Sequence, residues 1–231
     1  MTGPRPPVVL LHGCGGDARA TFEATGLADA FRKAGRTVLA PGLPGHGRGE
    51  RSRDPAAYAD LAGSILAGLP EQRFDAVGYS LGGKLLLEIA IRAPERIGRM
   101  VLGGVGDNVF APEAVAEAAA AALEHGPQPD TPPPVLAFLR TWDPEANDAL
   151  AIAAVLRRPP NPVFDELRLA GVTSPVLLVN GEEDPAAGQS SRLRGWLPDA
   201  RLVSLPGVDH FGLPSQPAFA EAAVRFIDQA A

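Results

Sequence analysis

Ser80 is the strongest candidate for a reactive side chain, because it lies at the centre of a Gly-x-Ser-x-Gly segment at 78–82. An apolar run at 74–77 precedes this segment, and a helix-like run at 84–92 follows it. A strand, a sharp glycine-flanked turn and a helix form the context of a nucleophile elbow, which lifts a hydroxyl to a helix N-terminus. Since the chain has 26 glycines, an ordinary glycine-rich turn is the alternative, and the other loops decide between the two.

A serine hydroxyl is a weak nucleophile at neutral pH and needs a neighbouring base. Of the four histidines, His210 is the candidate, because it lies late in the chain on a loop that follows the last strand-like run. We interpret His12 and His46, each in a glycine-rich loop, as structural hydrogen-bonding residues. His125 ends an alanine-rich stretch and is expected to be exposed to solvent.

The base needs an acid that orients it, and this acid is expected between nucleophile and base in chain order. Asp184 fits, because it follows the apolar run 176–180 on a loop that could reach a histidine after the next strand. Its alternative role is that of a turn aspartate before a proline. Asp107 is the rival acid, and Asp209 is expected to point away because it is adjacent to His210.

Acyl transfer also requires amide N–H groups that stabilise an oxyanion. One is expected from Leu81, the residue after the nucleophile, and another from Cys14 in the glycine-rich loop 12–16. Cys14 as a nucleophile in its own right is the weaker interpretation, since Ser80 already fills that role.

The elements that must position these residues alternate between short strands and helices. Short strand-like runs occur at 8–11, 37–40, 76–79, 100–102, 176–180 and 201–205, and most of them are continuously apolar, which suits a parallel sheet buried on both faces. Helix-like stretches lie between or after them at 22–34, 55–69, 84–92, 189–197 and 217–229. The alternation predicts an open α/β sheet with helices on both faces.

One insertion interrupts this alternation. Residues 107–162 contain no convincing strand but include helix-like stretches at 114–123, 135–142 and 146–156. We expect a small helical cap over the carboxyl ends of the strands, where open α/β sheets bind ligands, within a single domain spanning 1–231. The alternative is a surface excursion that packs on the sheet. Under the cap interpretation, the candidates for lining a substrate pocket are Leu136, Phe138, Trp142 and Leu156.

Composition narrows the class of protein. With 231 residues, 45% hydrophobic and 21% charged, the chain is typical of one globular domain. A formal net charge of −6 argues against nucleic acid or an anionic membrane as partner. A single cysteine, no signal-peptide pattern at 1–7 and no apolar run approaching about 20 residues favour a cytoplasmic protein. No cluster has metal-ligand spacing, so neither a metal nor another cofactor is expected.

Taken together, the loops resemble those of the α/β-hydrolase fold family over nearly the whole chain. The likeness rests on the His-Gly loop after 8–11, the Pro-Gly-His-Gly loop 44–47, the elbow 78–83, the acid loop 177–184 and the base loop 208–211. Because only seven residues precede Val8, the family's usual N-terminal hairpin is expected to be missing. A mostly parallel sheet of about six strands is therefore expected. The short insertion implies a shallow or partly open site.

The resemblance implies a Ser-His-Asp triad of Ser80, His210 and Asp184. It also implies a serine hydrolase that cleaves a small to medium carboxylic ester, thioester or lactone through an acyl-enzyme. Serine at the nucleophile position argues against the haloalkane dehalogenase and epoxide hydrolase branches, which use aspartate there. The same triad would also serve C–C bond hydrolysis, acyl transfer, perhydrolysis or lyase chemistry. A non-catalytic ligand-binding member is the alternative from a different class.

Overall fold

A computed structural model describes residues 5–47, 49–111, 113, 115–159 and 163–229. Within these residues the strands are β1 (Val8–Leu11), β2 (Val38–Leu39), β3 (Phe74–Tyr79), β4 (Ile97–Gly103), β5 (Val176–Gly181) and β6 (Ala200–Leu205). They form one six-stranded sheet in the order β2-β1-β3-β4-β5-β6, and all neighbouring strands are parallel. The expected α/β architecture with about six strands is confirmed.

Polar residues make two strands longer than the apolar runs suggest. β3 begins at Phe74 and includes Asp75, and β4 begins at Ile97, ahead of its apolar run. The sheet accommodates the Asp75 carboxylate because it forms a buried ion pair with Arg36 and accepts a hydrogen bond from the Arg99 backbone N–H over 2.8 Å. A buried carboxylate is tolerated only with such partners, and apolar runs in the sequence do not reveal them.

Helices cover both faces of the sheet and form two hydrophobic cores. Packed on one face are α1 (Leu27–Lys33) and α9 (Pro217–Ile227). Packed on the other are α2 (Leu61–Ala67), α3 (Leu81–Arg92), α7 (Glu166–Leu169) and α8 (Ser191–Trp196). Strand side chains alternate between the faces, so that Val8 and Leu10 join the first core while Val9 and Leu11 join the second. Among the helices of the described residues, none combines the length and apolar character that crossing a membrane requires.

Two stretches that the sequence suggests as single helices are each divided. Gly26, with a φ of 81°, separates a π-helical turn (Arg19–Glu23) from α1, because a left-handed residue cannot continue a right-handed helix. The stretch predicted as a helix at 55–69 begins as a 3₁₀ turn (Pro55–Tyr58), and the Asp60 carboxylate then caps the first turn of α2. Local capping therefore sets where both helices begin.

The insertion contains α4 (Ala116–His125), α5 (Pro133–Arg140) and α6 (Ala149–Leu156). The first two helices contact each other through small side chains, and α6 extends into the main core through Val155. The organisation as one domain with a cap at 107–162 stays a prediction. Pro162, the expected end of the insertion, and Ala114, the expected start of its first helix, lie outside the described residues.

The direction of the strands explains why distant residues meet. In a parallel sheet the carboxyl ends of all strands lie at one edge. The loops that leave this edge after β1, β3, β5 and β6 carry Cys14, Ser80, Asp184 and His210, respectively. The topology therefore gathers the candidate residues at the edge where open α/β sheets bind ligands.

Candidate active site

Ser80 occupies a strained turn between β3 and α3. Its backbone has φ 52° and ψ −116°, and among the described residues no other non-glycine residue has a positive φ. Such a conformation costs about 1–3 kcal/mol and persists only where the surroundings enforce it. Gly82 allows the turn, because a Cβ there would overlap the Leu11 carbonyl oxygen, and at Gly78 a Cβ would lie 2.6 Å from the Gly82 oxygen. The elbow expected from the sequence is therefore present.

His210 connects Ser80 and Asp184. The His210 Nε2 lies 3.0 Å from the Ser80 Oγ, and its Nδ1 lies 2.8 Å from the Asp184 Oδ2. A carboxylate only accepts hydrogen bonds, so the imidazole proton belongs on Nδ1, which leaves Nε2 to accept from the serine hydroxyl. The side chain of Asp184 is fully buried, and that of His210 is nearly so. The structure thus brings together the three residues that sequence analysis selected.

The second oxygen of Asp184 is also occupied. Asp184 Oδ1 accepts hydrogen bonds from the backbone N–H groups of Ala186 and Ala187, both over 2.8 Å. The residue therefore has both roles considered for it, since one oxygen stabilises the turn before Pro185 while the other faces His210. Backbone donors of this kind fix the orientation of the carboxylate.

Tyr79 is a site residue that sequence analysis missed. Its hydroxyl donates a hydrogen bond to the His210 carbonyl oxygen over 2.8 Å, and the two ring centroids are 5.2 Å apart. Burial raises the pKa of Tyr79, so the phenol remains a protonated donor. The available signal was its position directly before the nucleophile, but its partner lies 131 residues away in the sequence.

The loop after β1 passes directly over the nucleophile. A Cβ on Gly13 would lie 2.9 Å from the Tyr79 ring and 3.2 Å from the Ser80 Cβ. Cys14 follows in the same loop and lines the same cavity as Ser80. On the other side, Leu81 is the first residue of α3, so its amide N–H has no acceptor within the helix. Both residues expected to supply oxyanion donors therefore lie close to Ser80, and the donor role of their amides stays a prediction.

The setting of the Cys14 thiol disfavours its ionised form. Burial, together with the negative charge of Glu113, raises the pKa of Cys14 to about 12. The thiolate is the nucleophilic form of cysteine, and this environment disfavours it. A nucleophilic role for Cys14 is accordingly not supported.

A cavity of about 460 Å³ opens above Ser80 and His210, between the sheet edge and the insertion. Of the four residues expected to line it, Phe138 and Leu156 do so, whereas Leu136 and Trp142 do not. Pro134, Val135, Ala137 and Phe138 of α5 line the cavity, as does Thr141 just after the helix. Leu136 lies two residues from Phe138, on the opposite side of the helix. Trp142 follows the end of α5 and packs against the Phe138 ring, with centroids 6.3 Å apart. Among the described residues, no group of three or more His, Cys, Asp or Glu side chains could hold a metal ion.

The other histidines and acids have partners away from the nucleophile. His12 and His46 are fully buried and contact backbone carbonyls, while the His125 side chain is 75% exposed. Asp107 Oδ1 accepts from the Leu193 N–H at the start of α8, over 2.8 Å. Asp209 Oδ1 accepts from the Gly212 N–H over 2.7 Å. Neither carboxylate replaces Asp184 beside His210.

The sequence profile of the alpha/beta hydrolase family matches residues 8–223. The chain belongs to the alpha/beta hydrolase family, which confirms the resemblance noted from its loops. Among solved structures, the enol-lactonase from Burkholderia xenovorans superposes with a TM-score of 0.76. The superposition covers 98% of this chain and 93% of that chain at 23% identity, and at this identity the likeness shows the fold alone.

Curated relatives match a shorter part of the chain. The 2-hydroxymuconate semialdehyde hydrolase of Pseudomonas putida is 42% identical over 106 residues, covering 43% of this chain and 37% of that protein. The pimeloyl-(acyl-carrier protein) methyl ester esterase of Aromatoleum aromaticum is 40% identical over 104 residues, which cover 43% of this chain and 37% of that protein. The chain thus spans little more than a third of the length of these relatives. Their likeness supports hydrolase chemistry in general.

Proposed function

We propose that this protein is a serine hydrolase that cleaves a small to medium carboxylic ester, thioester or lactone through an acyl-enzyme. The observation that carries the proposal is the position of the His210 imidazole, 3.0 Å from the Ser80 oxygen and 2.8 Å from the Asp184 carboxylate. A nucleophile, a base and an orienting acid at hydrogen-bond distances are the arrangement that acyl transfer requires.

The chemistry proceeds in two halves. The Ser80 oxygen attacks the acyl carbon while its proton passes to His210 Nε2, and the resulting oxyanion accepts hydrogen bonds from the Cys14 and Leu81 amides. The bond to the leaving group breaks, and His210 gives its proton to the departing alcohol or thiol. His210 then takes a proton from water, the hydroxide attacks the acyl carbon, and the carboxylic acid leaves as Ser80 regains its proton.

The cavity supports the size of the substrate. A volume of about 460 Å³ lies within the range of small-molecule sites, and the insertion contributes apolar side chains such as Phe138 and Leu156. The relative named as a methyl ester esterase supports an ester as the substrate class.

C–C bond hydrolysis is the second candidate, because another relative is named as a 2-hydroxymuconate semialdehyde hydrolase. The two candidates make different products from different substrates. A panel of aryl esters, thioesters, lactones and 2-hydroxymuconate semialdehyde, with the products identified by mass spectrometry, separates them. Turnover of the esters with none of the semialdehyde supports the first candidate, and the reverse result supports the second.

The nucleophile is tested with a fluorophosphonate probe, which labels activated serines. We expect labelling of the wild type and of Ser215→Ala, and none of Ser80→Ala. Ser215 is a suitable control because it lines the same cavity but is not a triad residue. Ester hydrolysis should fall by at least about 10³-fold in Ser80→Ala, the scale seen when a triad residue is lost. Unchanged labelling or turnover in Ser80→Ala would rule out the mechanism.

A further inference from the structure

A buried amide side chain of the insertion contacts the loop that carries Cys14. Asn147, between α5 and α6, is 5% exposed, and its Nδ2 donates a hydrogen bond to the Gly15 carbonyl oxygen over 3.0 Å. Its Oδ1 accepts from the Gly47 N–H over 2.9 Å. A carbonyl oxygen needs a donor and an N–H needs an acceptor, so these partners fix the orientation of the amide. One side chain therefore joins the loops after β1 and β2.

Asn147 is itself held by the surrounding backbone. Its N–H donates to the Asp143 carbonyl oxygen over 3.1 Å, and the Asp143 carboxylate accepts from the Ala146 N–H over 3.2 Å. Arg51 donates to the carbonyls of Gly47 and Ala146, the latter over 3.0 Å. The segment that presents the amide is thus tied to the β2 loop at more than one point, which limits the positions available to the amide.

The contacted loop is a tight turn. The Gly16 N–H donates to the Gly13 carbonyl oxygen over 3.2 Å, and Nδ1 of His12 donates to the same oxygen over 2.9 Å. Gly15 has a φ of 71°, and a Cβ there would lie 2.7 Å from the Phe138 ring. The Gly15 carbonyl and the Gly16 N–H belong to one planar peptide group, and the Gly13 carbonyl and the Cys14 N–H belong to another. The hydrogen bond from Gly16 to Gly13 joins these two groups, so the contact of Asn147 with Gly15 reaches the peptide group that carries the Cys14 N–H.

We infer that Asn147 is a positioning residue for the oxyanion hole, whose hydrogen bond to Gly15 sets the direction of the Cys14 N–H. This inference rests on the proposed function, since it requires the Cys14 amide to stabilise an oxyanion. Asn147 is absent from the cavity wall, so we expect no contact between its side chain and the substrate. The oxyanion exists only during acyl transfer, so the loss of Asn147 should lower kcat and leave KM nearly unchanged.

Asn147→Asp is the informative variant, because it retains an acceptor for Gly47 and removes the donor to Gly15. On a neutral aryl ester we expect kcat to fall about 10- to 100-fold while KM changes less than about three-fold. Affinity for a boronic acid, which forms a tetrahedral adduct on Ser80, should fall by a similar factor. The matched control is Asn108→Asp, the same substitution at a residue of the insertion whose Oδ1 contact to the Gly106 N–H would be retained. Asn108→Asp should leave kcat and the affinity for the boronic acid unchanged.

Several results would overturn the inference. A folded Asn147→Asp enzyme with wild-type kcat and boronic acid affinity would do so, as would a change confined to KM. Asn147→Ser is measured in the same way should the aspartate variant fail to fold, and failure of both to fold would assign a purely structural role instead. Ester hydrolysis that persists in Ser80→Ala is a distinct result, because it overturns the proposed function itself.

Discussion

The rings of His12 and His46 meet edge to face inside the protein, with centroids 5.2 Å apart. Both side chains are fully buried. His12 is held in one tautomer, since Nδ1 donates to the Gly13 carbonyl and Nε2 accepts from the Leu43 N–H over 3.3 Å. Burial lowers the pKa of both histidines, and for His46 burial together with the neighbouring His12 lowers the pKa to about 3. Two neutral imidazoles therefore support the loops beneath the candidate site.

This pair predicts a loss of stability in mild acid. The pKa of His46 is about 3 in the folded state against an ordinary value of 6.5, so below pH 6.5 the unfolded chain binds a proton that the folded protein does not. The free energy of unfolding therefore decreases as the pH falls. Between pH 7.5 and pH 5, His46 alone should contribute a loss of about 2 kcal/mol, measured by urea unfolding.

His46→Asn tests that contribution, because the amide can still donate to the Pro44 carbonyl but does not titrate. The difference in stability between pH 7.5 and pH 5 should shrink in this variant by about 2 kcal/mol. His125→Asn, at an exposed position, is the control and should keep the wild-type difference. An unchanged pH dependence in His46→Asn would show that the buried imidazole is not the cause.

Asp184→Asn should abolish most activity without unfolding the protein. The Ala186 and Ala187 amides would hold the side-chain oxygen, which places the NH₂ group opposite His210 Nδ1. The imidazole proton would then move to Nε2, which could no longer accept from Ser80. We expect kcat to fall by on the order of 10⁴-fold, as measured on an aryl ester. Asp107→Asn removes the rival acid and should retain activity. If Asp107→Asn instead lost activity while Asp184→Asn kept it, Asp107 would be the acid that orients His210.

Tyr79→Phe should affect stability more than catalysis. The change leaves the buried His210 carbonyl without its donor, at a cost of about 1–2 kcal/mol. The contact between Nε2 and Ser80 is retained, so kcat should decrease by less than about 10-fold. Tyr58→Phe is the comparison variant, since its hydroxyl donates to the Ser52 carbonyl over 2.8 Å and accepts from the Ser52 N–H over 2.6 Å. It should lower the melting temperature at least as much as Tyr79→Phe does, with no change in kcat. A loss of kcat of more than about 10-fold in Tyr79→Phe alone would show that Tyr79 contributes to the reaction.

The sequence predicted those features that local patterns encode. The strands buried on both faces are apolar runs, and the elbow carries its own signature around Ser80, so the sheet and the candidate residues were accessible from the sequence. The contacts of Tyr79 and Asn147 were not, because each depends on a backbone group more than 130 residues away. The orientation of Leu136 was equally hidden, since the side of a short helix that faces a cavity depends on how the helix packs.

Glycine at position 82 is predicted to be indispensable. A Cβ there would overlap the carbonyl oxygens of both Leu11 and His12, which are backbone atoms of β1 and the loop after it and cannot rotate away. Gly82→Ala should therefore cost several kcal/mol, about the scale of overpacking a core, or prevent folding. Gly195 is the matched control, because it lies inside α8 with open space where a Cβ would stand.

Gly195→Ala should raise the free energy of unfolding by about 0.5–1 kcal/mol, since alanine loses less backbone entropy than glycine in a helix. Urea unfolding of the two variants measures both effects in one experiment. A Gly82→Ala protein of wild-type stability would mean that the elbow can move away from β1. Such a movement would separate Ser80 from the Cys14 loop, so the oxyanion geometry depends on the same close backbone contact.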